Sequence, residues 1–391
     1  MSIQTLEIIR KRVAERPAEL AAARSKGAKV IGWINYNVPE ELIDALGFIP
    51  VHLGTGGSDH LVELGSRYIS TGNCVFVRQA AGLFAEGTDP YFANADFVVF
   101  DVTCKQVYRL AEVVAHYFKV ESLILGVPYN HDTQAGKIYY RKEVEALGKR
   151  LSERFGVTLE ADKLKVSIEL YESIRAAIRE LYDFNKKEKS PITWSESNDV
   201  IQAGYYLDRR EYLTLLEQLL AELKVSKRDA NEKFGDDAPR LLLTGSIIPP
   251  GDSKLVSIIE ELGGRIVVDD LWSGFAPAKT IQVKGETLDD IADAYLIPHA
   301  SLPTLDYAND RRLQNLKSLI KDYNAQGIIF HSLRYCDAFT FKAPESRHFF
   351  LNEGASFLEI HTEYSGSDYE AIRTRIEAFI ELVKARAAVL V

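Results

Sequence analysis

Short apolar runs alternate with helical patterns between residues 29 and 130. Apolar residues recur at helical spacing in "VPEELIDALG", "FVRQAAGLFAEG" and "KQVYRLAEVVAHYF". These segments separate four runs that are typical of strands: "KVIGWINY", "FIPVHLGTGG", "ADFVVFDVT" and "VESLILGVPYN". Strands that are buried on both faces read as continuous apolar runs and alternate with helices in parallel sheets. The pattern therefore predicts an α/β domain with a parallel sheet.

The pattern changes near residue 137. Long helical patterns continue to residue 236, and strand-like runs then return in "PRLLLTGSII", "RIVVDDLWSG", "QGIIFHSLRYC" and "SFLEIHTEYSG". A chain of 391 residues is too long for one ordinary hydrophobic core. We therefore predict an N-terminal α/β domain over residues 1–136, a mainly helical region over 137–236 and a C-terminal α/β domain over 237–391.

Charge and hydropathy narrow the range of partners. The net charge of −9 at pH 7 leaves no basic face for nucleic acid. Charged residues are spread through the N-terminal segment, and no stretch approaches the roughly 18 apolar residues of a membrane span. These features predict a cytoplasmic protein that binds neither nucleic acid nor membranes.

The three cysteines all lie at predicted loop positions. Cys104 directly follows "ADFVVFDVT", Cys336 directly follows "IIFHSLRY", and Cys74 precedes a predicted helix. Parallel sheets carry functional groups beyond the carboxyl ends of their strands, and a helix N-terminus favours a thiolate. An odd number of cysteines argues against a disulfide framework. A shared metal or cluster site and three unrelated packing thiols both remain open at this point.

The spacing of the cysteines favours a cluster over zinc. Cys74 and Cys104 lie 30 residues apart, and no closely spaced C-x₂₋₄-C pair exists. Three thiolates from separate loops suit a cuboidal [4Fe–4S] cluster with one open iron, which can act as a Lewis acid on a substrate oxygen. A cysteine nucleophile is the competing hypothesis, with Cys336 as the nucleophile and His331 as its base.

Around these cysteines the chain resembles the 2-hydroxyacyl-CoA dehydratase / benzoyl-CoA reductase family, which includes the double-cubane cluster reductases. The resemblance depends on the three cysteines together with their flanking sequences. It extends in order through "INYNVPEELIDALGFIPVHL", "GNCVFVRQAAGLF", "ADFVVFDVTCKQVYRLAEV", "LLLTGSIIPPGDSKLVSIIEELGGRIVVDD", "IIFHSLRYCDAF" and "IRTRIEAFIE". Asn35 and Trp272 stand near places where family members often have further cysteines, so the subfamily stays open.

The resemblance implies that Cys74, Cys104 and Cys336 each ligate one [4Fe–4S] cluster between two Rossmann-like domains. It also implies a homodimer, or a heterodimer with a homologous subunit, and a separate ATP-hydrolysing iron–sulfur activator. The chain has no G-x-x-x-x-G-K-[ST] phosphate loop, and its glycine-rich residues 54–59 predict only a tight turn near the cleft. We therefore expect no nucleotide to bind to this chain.

Several versions of the implied chemistry remain open. In the dehydratase version, one electron reduces a 2-hydroxyacyl-CoA thioester to a ketyl, hydroxide leaves with help from the open iron, and the electron is recovered. In the benzoyl-CoA version, electrons are consumed and an aromatic thioester is reduced. In the double-cubane version, a homodimer joins two clusters as [8Fe–9S] and reduces small molecules. A non-catalytic iron–sulfur scaffold or electron carrier is the alternative from another class.

Asn35, His331 and Arg334 are the candidate catalytic residues. Asn35 ends the first predicted strand, where it would contact the substrate or the open iron. His331 and Arg334 flank Cys336, where they would bind an anionic substrate or donate hydrogen bonds to cluster sulfurs. The structural alternative for Arg334 is a surface ion pair with Asp337.

Asp269 and Asp270 end another predicted strand. They are candidates for acid/base groups or Mg²⁺ ligands. Adjacent carboxylates at the end of a strand also commonly cap helices or face solvent.

Overall fold

The computed structural model describes residues 3–131, 133–235, 237–296 and 310–389. The first part of the chain alternates strands and helices around one four-stranded sheet. Its elements are α1 (Gln4–Ser25), β1 (Val30–Ile34), α2 (Glu40–Ala45), β2 (Ile49–His52), α3 (Asp59–Gly65), α4 (Val75–Glu86), α5 (Pro90–Asn94), β3 (Phe97–Val102), α6 (Lys105–Val113) with a π-helical turn (Val114–Phe118), and β4 (Ser122–Gly126).

Helices follow one another in the middle of the chain. They are α7 (Gln134–Phe155), α8 (Ala161–Asp183), α9 (Trp194–Ala203) and α10 (Arg209–Val225), with short 3₁₀ turns at Phe184–Lys186 and Glu232–Phe234. Helix α8 packs against α2 and α10. The mainly helical region is therefore present and contacts the first α/β part.

The last part builds a second four-stranded sheet. Its elements are β5 (Arg240–Gly245), α11 (Lys254–Glu261), β6 (Arg265–Asp269), α12 (Ala276–Thr280), α13 (Leu288–Tyr295), α14 (Arg311–Asp322), β7 (Gly327–Leu333), α15 (Asp337–Thr340), α16 (Ala343–Asn352), β8 (Ser356–Thr362) and α17 (Tyr369–Val389). The predicted α/β fold with two parallel sheets and a mainly helical region is confirmed. The predicted domain boundaries stay a prediction.

The two sheets have the same topology. The strand orders are β2-β1-β3-β4 and β6-β5-β7-β8, and every neighbouring pair is parallel. In each sheet the second strand in sequence lies on one side of the first strand, and the third strand lies on the other side. The topological switch points therefore lie between β1 and β3 and between β5 and β7. Ligands of open α/β sheets bind beyond the carboxyl ends of the strands at such a switch point.

The cores follow from the apolar runs. Strands β1, β3, β5 and β7 are buried along almost their whole length, as expected for central strands that are covered by helices on both faces. Apolar residues of α12 and α13 join the core on one face of the first sheet, and α1 contributes to the core around the second. Within the described ranges no helix is long and apolar enough to span a membrane.

Candidate functional site

The three cysteines stand directly before helices at the carboxyl edges of the two sheets. Cys104 follows β3 and precedes α6, Cys336 follows β7 and precedes α15, and Cys74 precedes α4. All three are free thiols. Cys74 lies inside one apolar cluster, and Cys104 and Cys336 pack against the same cluster. The structure thus brings together three thiols that are distant in sequence.

The thiols affect one another's protonation. Hydrogen bonding with Cys74 lowers the pKa of Cys336 to about 7, although burial opposes this effect. The same hydrogen bond, together with burial, raises the pKa of Cys74 well above its usual range. Burial raises the pKa of Cys104 to about 12, while the backbone amides of Val107 and Gln106 act in the opposite direction. Burial therefore keeps Cys74 and Cys104 protonated unless a cation compensates their charge, whereas Cys336 ionises near neutral pH.

Ser246 contacts Cys336 at the switch point of the second sheet, between β5 and β7. Ser246 follows β5, and its hydroxyl donates to the Cys336 sulfur at 3.6 Å. The Ser246 backbone N–H donates to the His331 carbonyl at 2.7 Å. Gly245 has a φ of 115°, and a Cβ at this position would lie 2.0 Å from the same carbonyl oxygen. Glycine is therefore required for the close approach that places Ser246 beside Cys336.

The His331 ring makes its described hydrogen bond with Thr362. Its Nε2 lies 2.7 Å from the Thr362 hydroxyl, and its Nδ1 has no hydrogen-bond partner among the described residues. Burial lowers the pKa of His331 to about 3, so the ring is neutral at physiological pH. His331 and Cys336 therefore form no nucleophile–base pair in this arrangement, which disfavours the cysteine-nucleophile hypothesis.

Arg334 lies at the rim of the site. Its guanidinium is half exposed and contacts the Glu363 carboxylate, with Nε and Oε1 3.0 Å apart. The alternative ion pair with Asp337 is wrong, because the structure pairs Arg334 with Glu363. The Asp337 carboxylate instead accepts from the Gln106 amide at 3.2 Å. This second contact joins the helix that follows Cys104 to the helix that follows Cys336.

Asn35 bridges the first switch point. Its backbone is in the left-handed region with a φ of 76°. Its side-chain amide donates to Asp101 Oδ1 at 2.7 Å and also to the Thr103 hydroxyl. The Asn37 backbone N–H donates to the other Asp101 oxygen at 2.5 Å. These contacts fix the loop after β1 against the end of β3, next to Cys104.

A small cavity of about 50 Å³ lies beside this network. It is lined by Asn35, Tyr36, Asn37, Thr103, Ile247, Trp272, Ala338 and Phe339. Residues from both switch points therefore face one space next to Cys104 and Cys336. The catalytic roles predicted for Asn35, His331 and Arg334 stay predictions, and of these three only Asn35 lines this cavity.

Asp269 has a structural set of partners. Its carboxylate accepts hydrogen bonds from the Tyr182 hydroxyl at 2.6 Å and the Trp194 indole N–H at 2.8 Å. It also accepts from the backbone N–H groups of Leu271 and Phe275, both at 2.9 Å. Asp269 thus fixes the loop that carries Trp272 to the cavity. Asp270 is buried beside it, and burial raises its pKa to about 7.

The glycine-rich segment 54–59 joins the two halves of the molecule. The Gly56 N–H donates to the Pro250 carbonyl at 2.9 Å. Gly57 has a φ of 80°, and a Cβ there would lie 2.4 Å from the Gly251 carbonyl oxygen. The segment therefore closes one side of the cleft by direct backbone contact.

Sequence reasoning missed Ser246, Asp101 and Tyr364 as members of the site. Each follows or ends a predicted strand, so the general rule for parallel sheets could have indicated them. Tyr364 belongs to the same apolar cluster as Cys74, and its hydroxyl has no hydrogen-bond partner in the part of the chain that the structure describes.

Three thiols are a donor set that iron–sulfur clusters use. A cubane binds its thiolates through different irons, so its ligands need not converge on one point. The three thiols, and the buried Tyr364 hydroxyl beside them that has no hydrogen-bond partner among the described residues, fit an iron–sulfur group.

Comparison with known proteins finds related dehydratase and reductase subunits. The (R)-phenyllactyl-CoA dehydratase beta subunit of Clostridium sporogenes is 26% identical over 91% of this chain and 92% of its own length. The beta subunit of (R)-2-hydroxyglutaryl-CoA dehydratase of Acidaminococcus fermentans is 24% identical over 97% of this chain and 100% of its own length. A benzoyl-CoA reductase subunit of Thauera aromatica is 23% identical over 91% of each chain.

The sequence profile that describes the D-component of 2-hydroxyglutaryl-CoA dehydratase matches residues 35–383, which include all three cysteines. The match covers most of the chain. The relatives are dehydratase and reductase subunits, so an enzyme component of the dehydratase or reductase type is supported. The chain belongs to the 2-hydroxyglutaryl-CoA dehydratase D-component family.

Proposed function

We propose that this chain is the [4Fe–4S] component of a 2-hydroxyacyl-CoA dehydratase or benzoyl-CoA reductase type of enzyme, with Cys74, Cys104 and Cys336 as the cluster ligands. The observation that carries the proposal is the convergence of these three thiols between the two switch points. When bound, such a cluster supplies an electron and a Lewis-acidic iron to an acyl-CoA thioester.

The surrounding residues have roles that follow from their contacts. Ser246 donates to the Cys336 sulfur, and hydrogen bonds to ligand sulfurs tune a reduction potential. The backbone amides at the starts of α4, α6 and α15 stabilise negative charge on the three sulfurs. Asn35 stands at the cavity wall, where it would orient a substrate oxygen. Arg334, at the rim, would bind an anionic part of the substrate.

Partners follow from the family. The relatives are named as subunits of larger enzymes, so we propose that this chain works in a dimer, either with a homologous subunit or with its own copy. We also propose that low-potential electrons come from a separate ATP-hydrolysing iron–sulfur activator. The sequence has no phosphate-loop motif, which supports ATP hydrolysis by a separate protein.

Mass spectrometry of acyl-CoA products tests the function. The anaerobically purified protein, in its dimer and with the homologous subunit where it has one, is reduced with titanium(III) citrate and incubated with 2-hydroxyglutaryl-CoA, phenyllactyl-CoA, lactoyl-CoA and benzoyl-CoA. Loss of water from a thioester indicates dehydration, and gain of hydrogen indicates reduction. Ser246→Ala should keep its iron, because Ser246 contacts a ligand sulfur and is not itself a ligand. A protein that holds iron and passes electrons to a dye but leaves every thioester unchanged contradicts the proposal and supports an electron carrier.

Two clusters joined as [8Fe–9S] in a homodimer remain the second candidate. Sulfide analysis distinguishes it from single clusters, because a bridging sulfide adds one sulfide for each pair of chains. Reduction of small molecules in the absence of any thioester would support this candidate.

A further inference from the structure

Tyr36 and Tyr364 have buried hydroxyl groups without hydrogen-bond partners among the described residues. Their residues are only 6% and 7% exposed, respectively. Tyr36 follows the carboxyl end of β1, and Tyr364 follows the carboxyl end of β8. One tyrosine from each sheet therefore reaches the edge where the cysteines stand. Buried polar groups almost always have partners, so two such hydroxyls at one edge require an explanation.

Tyr364 lies beside the cysteines. It belongs to the apolar cluster that contains Cys74 and against which Cys104 and Cys336 pack. Burial raises the pKa of Tyr364 well above its usual range, and nearby Asp252 and Cys74 add to the shift. The hydroxyl is therefore protonated at any physiological pH and remains a hydrogen-bond donor.

Tyr36 follows β1 of the first sheet and lines two cavities, one of which lies at this edge. It lines the cavity of about 50 Å³ together with Thr103 and Phe339, which are close neighbours in sequence of Cys104 and Cys336. Its ring lies 4.7 Å from the His52 ring and 6.1 Å from the Trp33 ring, measured between centroids. These contacts hold the ring in place. Burial raises the pKa of Tyr36 as well, so this hydroxyl is also a donor.

Other buried tyrosines show what is usual in this protein. The hydroxyls of four of them bond to protein oxygen atoms: Tyr140 to Asn37, Tyr182 to Asp269, Tyr212 to Val200 and Tyr295 to Glu41. Tyr171, whose hydroxyl also has no such bond among the described residues, lies with its ring against the Arg209 guanidinium. The two unsatisfied donors at the edge that carries the cysteines therefore indicate an acceptor that is not part of the protein.

We infer that Tyr36 and Tyr364 donate hydrogen bonds to an oxygen-bearing ligand bound beside the three cysteines: the hydroxyl or thioester oxygen of an acyl-CoA, or the water that precedes it. The inference rests on the proposed function. Neutral donors in a buried site stabilise the negative charge that develops on an oxygen atom during electron transfer or hydroxide loss. Because each sheet contributes one donor, the ligand is held only when the two halves are correctly placed.

Isosteric variants test this assignment. Tyr36→Phe and Tyr364→Phe each remove one oxygen atom, and Tyr212→Phe is the matched control because its hydroxyl donates to the Val200 carbonyl at 3.0 Å. In the cluster-free protein we expect the first two variants to melt at or above the wild-type temperature and the control to melt below it. An unsatisfied buried hydroxyl gives no stability, whereas a satisfied one does.

The potential of the cluster-loaded protein gives the second readout. Loss of a hydrogen bond to a ligand that becomes more negative on reduction should shift the reduction equilibrium about tenfold toward the oxidised form, which corresponds to about 59 mV for one electron. We expect this shift in Tyr36→Phe and Tyr364→Phe at unchanged iron content, and none in Tyr212→Phe. Wild-type potentials in the first two variants would overturn the assignment, as would melting temperatures that fall as in the control. A wild type without iron would instead contradict the proposed function itself.

Discussion

Asp269→Asn should destabilise the protein substantially, although it changes the shape of the side chain very little. If the amide oxygen keeps the place of Oδ1, it still accepts from the backbone N–H groups of Leu271 and Phe275. The amide nitrogen then replaces Oδ2, which accepts from Tyr182 and Trp194 in the wild type. The indole N–H is a donor only, so it is left facing another donor.

The magnitude follows from these contacts. A buried donor without a partner costs about 1–3 kcal/mol, and the hydrogen bond from Tyr182 loses the benefit of a charged acceptor, which is about 1 kcal/mol more. We therefore expect the free energy of unfolding to fall by about 3 kcal/mol. Urea unfolding of the cluster-free protein under anaerobic reducing conditions, followed by far-UV circular dichroism, measures the change.

Asp270→Asn is the matched control with the opposite sign. Burial raises the pKa of both carboxyls, but hydrogen bonds from two side chains and two backbone N–H groups oppose the shift only at Asp269. Burial raises the pKa of Asp270 to about 7, although Arg312 and Lys279 oppose the shift. A carboxyl whose folded pKa exceeds its unfolded value of about 3.9 destabilises the fold as pH rises through this window, and the penalty is complete above about pH 7. Asp270→Asn should therefore stabilise the protein at pH 8, by about 4 kcal/mol at most, and change little at pH 4.

Equal losses in the two variants at pH 8 would refute this reasoning. They would show that the two carboxylates act as a pair, as Mg²⁺ ligands would. We expect, by contrast, that Asp269 fixes the loop and that Asp270 is buried at a cost in stability. A wild-type unfolding midpoint that rises with added Mg²⁺ would support the same conclusion.

Two further substitutions test the cleft. Gly57→Ala would place a Cβ 2.4 Å from the Gly251 carbonyl oxygen, whereas Gly87→Ala, also at positive φ, meets no atom within 4 Å. Both variants strain the backbone, so we expect Gly57→Ala to lower the melting temperature and speed proteolysis more than Gly87→Ala does. Equal effects of the two variants would contradict a contact that closes the cleft. Arg334→Gln should change the free energy of unfolding by less than about 1 kcal/mol, because the ion pair of Arg334 with Glu363 is exposed. The same variant should raise the KM for an acyl-CoA. An unchanged KM would contradict a role of Arg334 in substrate binding.

The fold could be predicted from the sequence because its central strands are buried on both faces. All eight apolar runs that predicted strands form strands. Short helices such as α3, α5 and α12 were missed, since helices of five to seven residues are too short to show a complete amphipathic repeat. The proximity of the three thiols could be predicted, because parallel sheets carry functional groups at one edge.

The orientation of side chains at that edge could not be predicted. His331 lies within β7, where alternation sends neighbouring side chains to opposite faces, and its ring contacts Thr362. Arg334 contacts Glu363, which lies on the adjacent connection after β8. Such contacts depend on strand order, and strand order has no local signal in the sequence. The rule for parallel sheets places Tyr364 at this edge, but only the strand order brings it beside Cys74.

Iron and acid-labile sulfide analysis with EPR on anaerobically purified protein tests the central proposal most directly. We predict about four irons per chain and a signal after reduction in the wild type, with both lost in Cys336→Ala and retained in Ser246→Ala. The serine variant separates a ligand from a residue that only contacts one. A colourless wild type without iron after anaerobic purification, or a Cys336→Ala variant with the wild-type iron content and spectrum, would contradict a cluster held by these three cysteines.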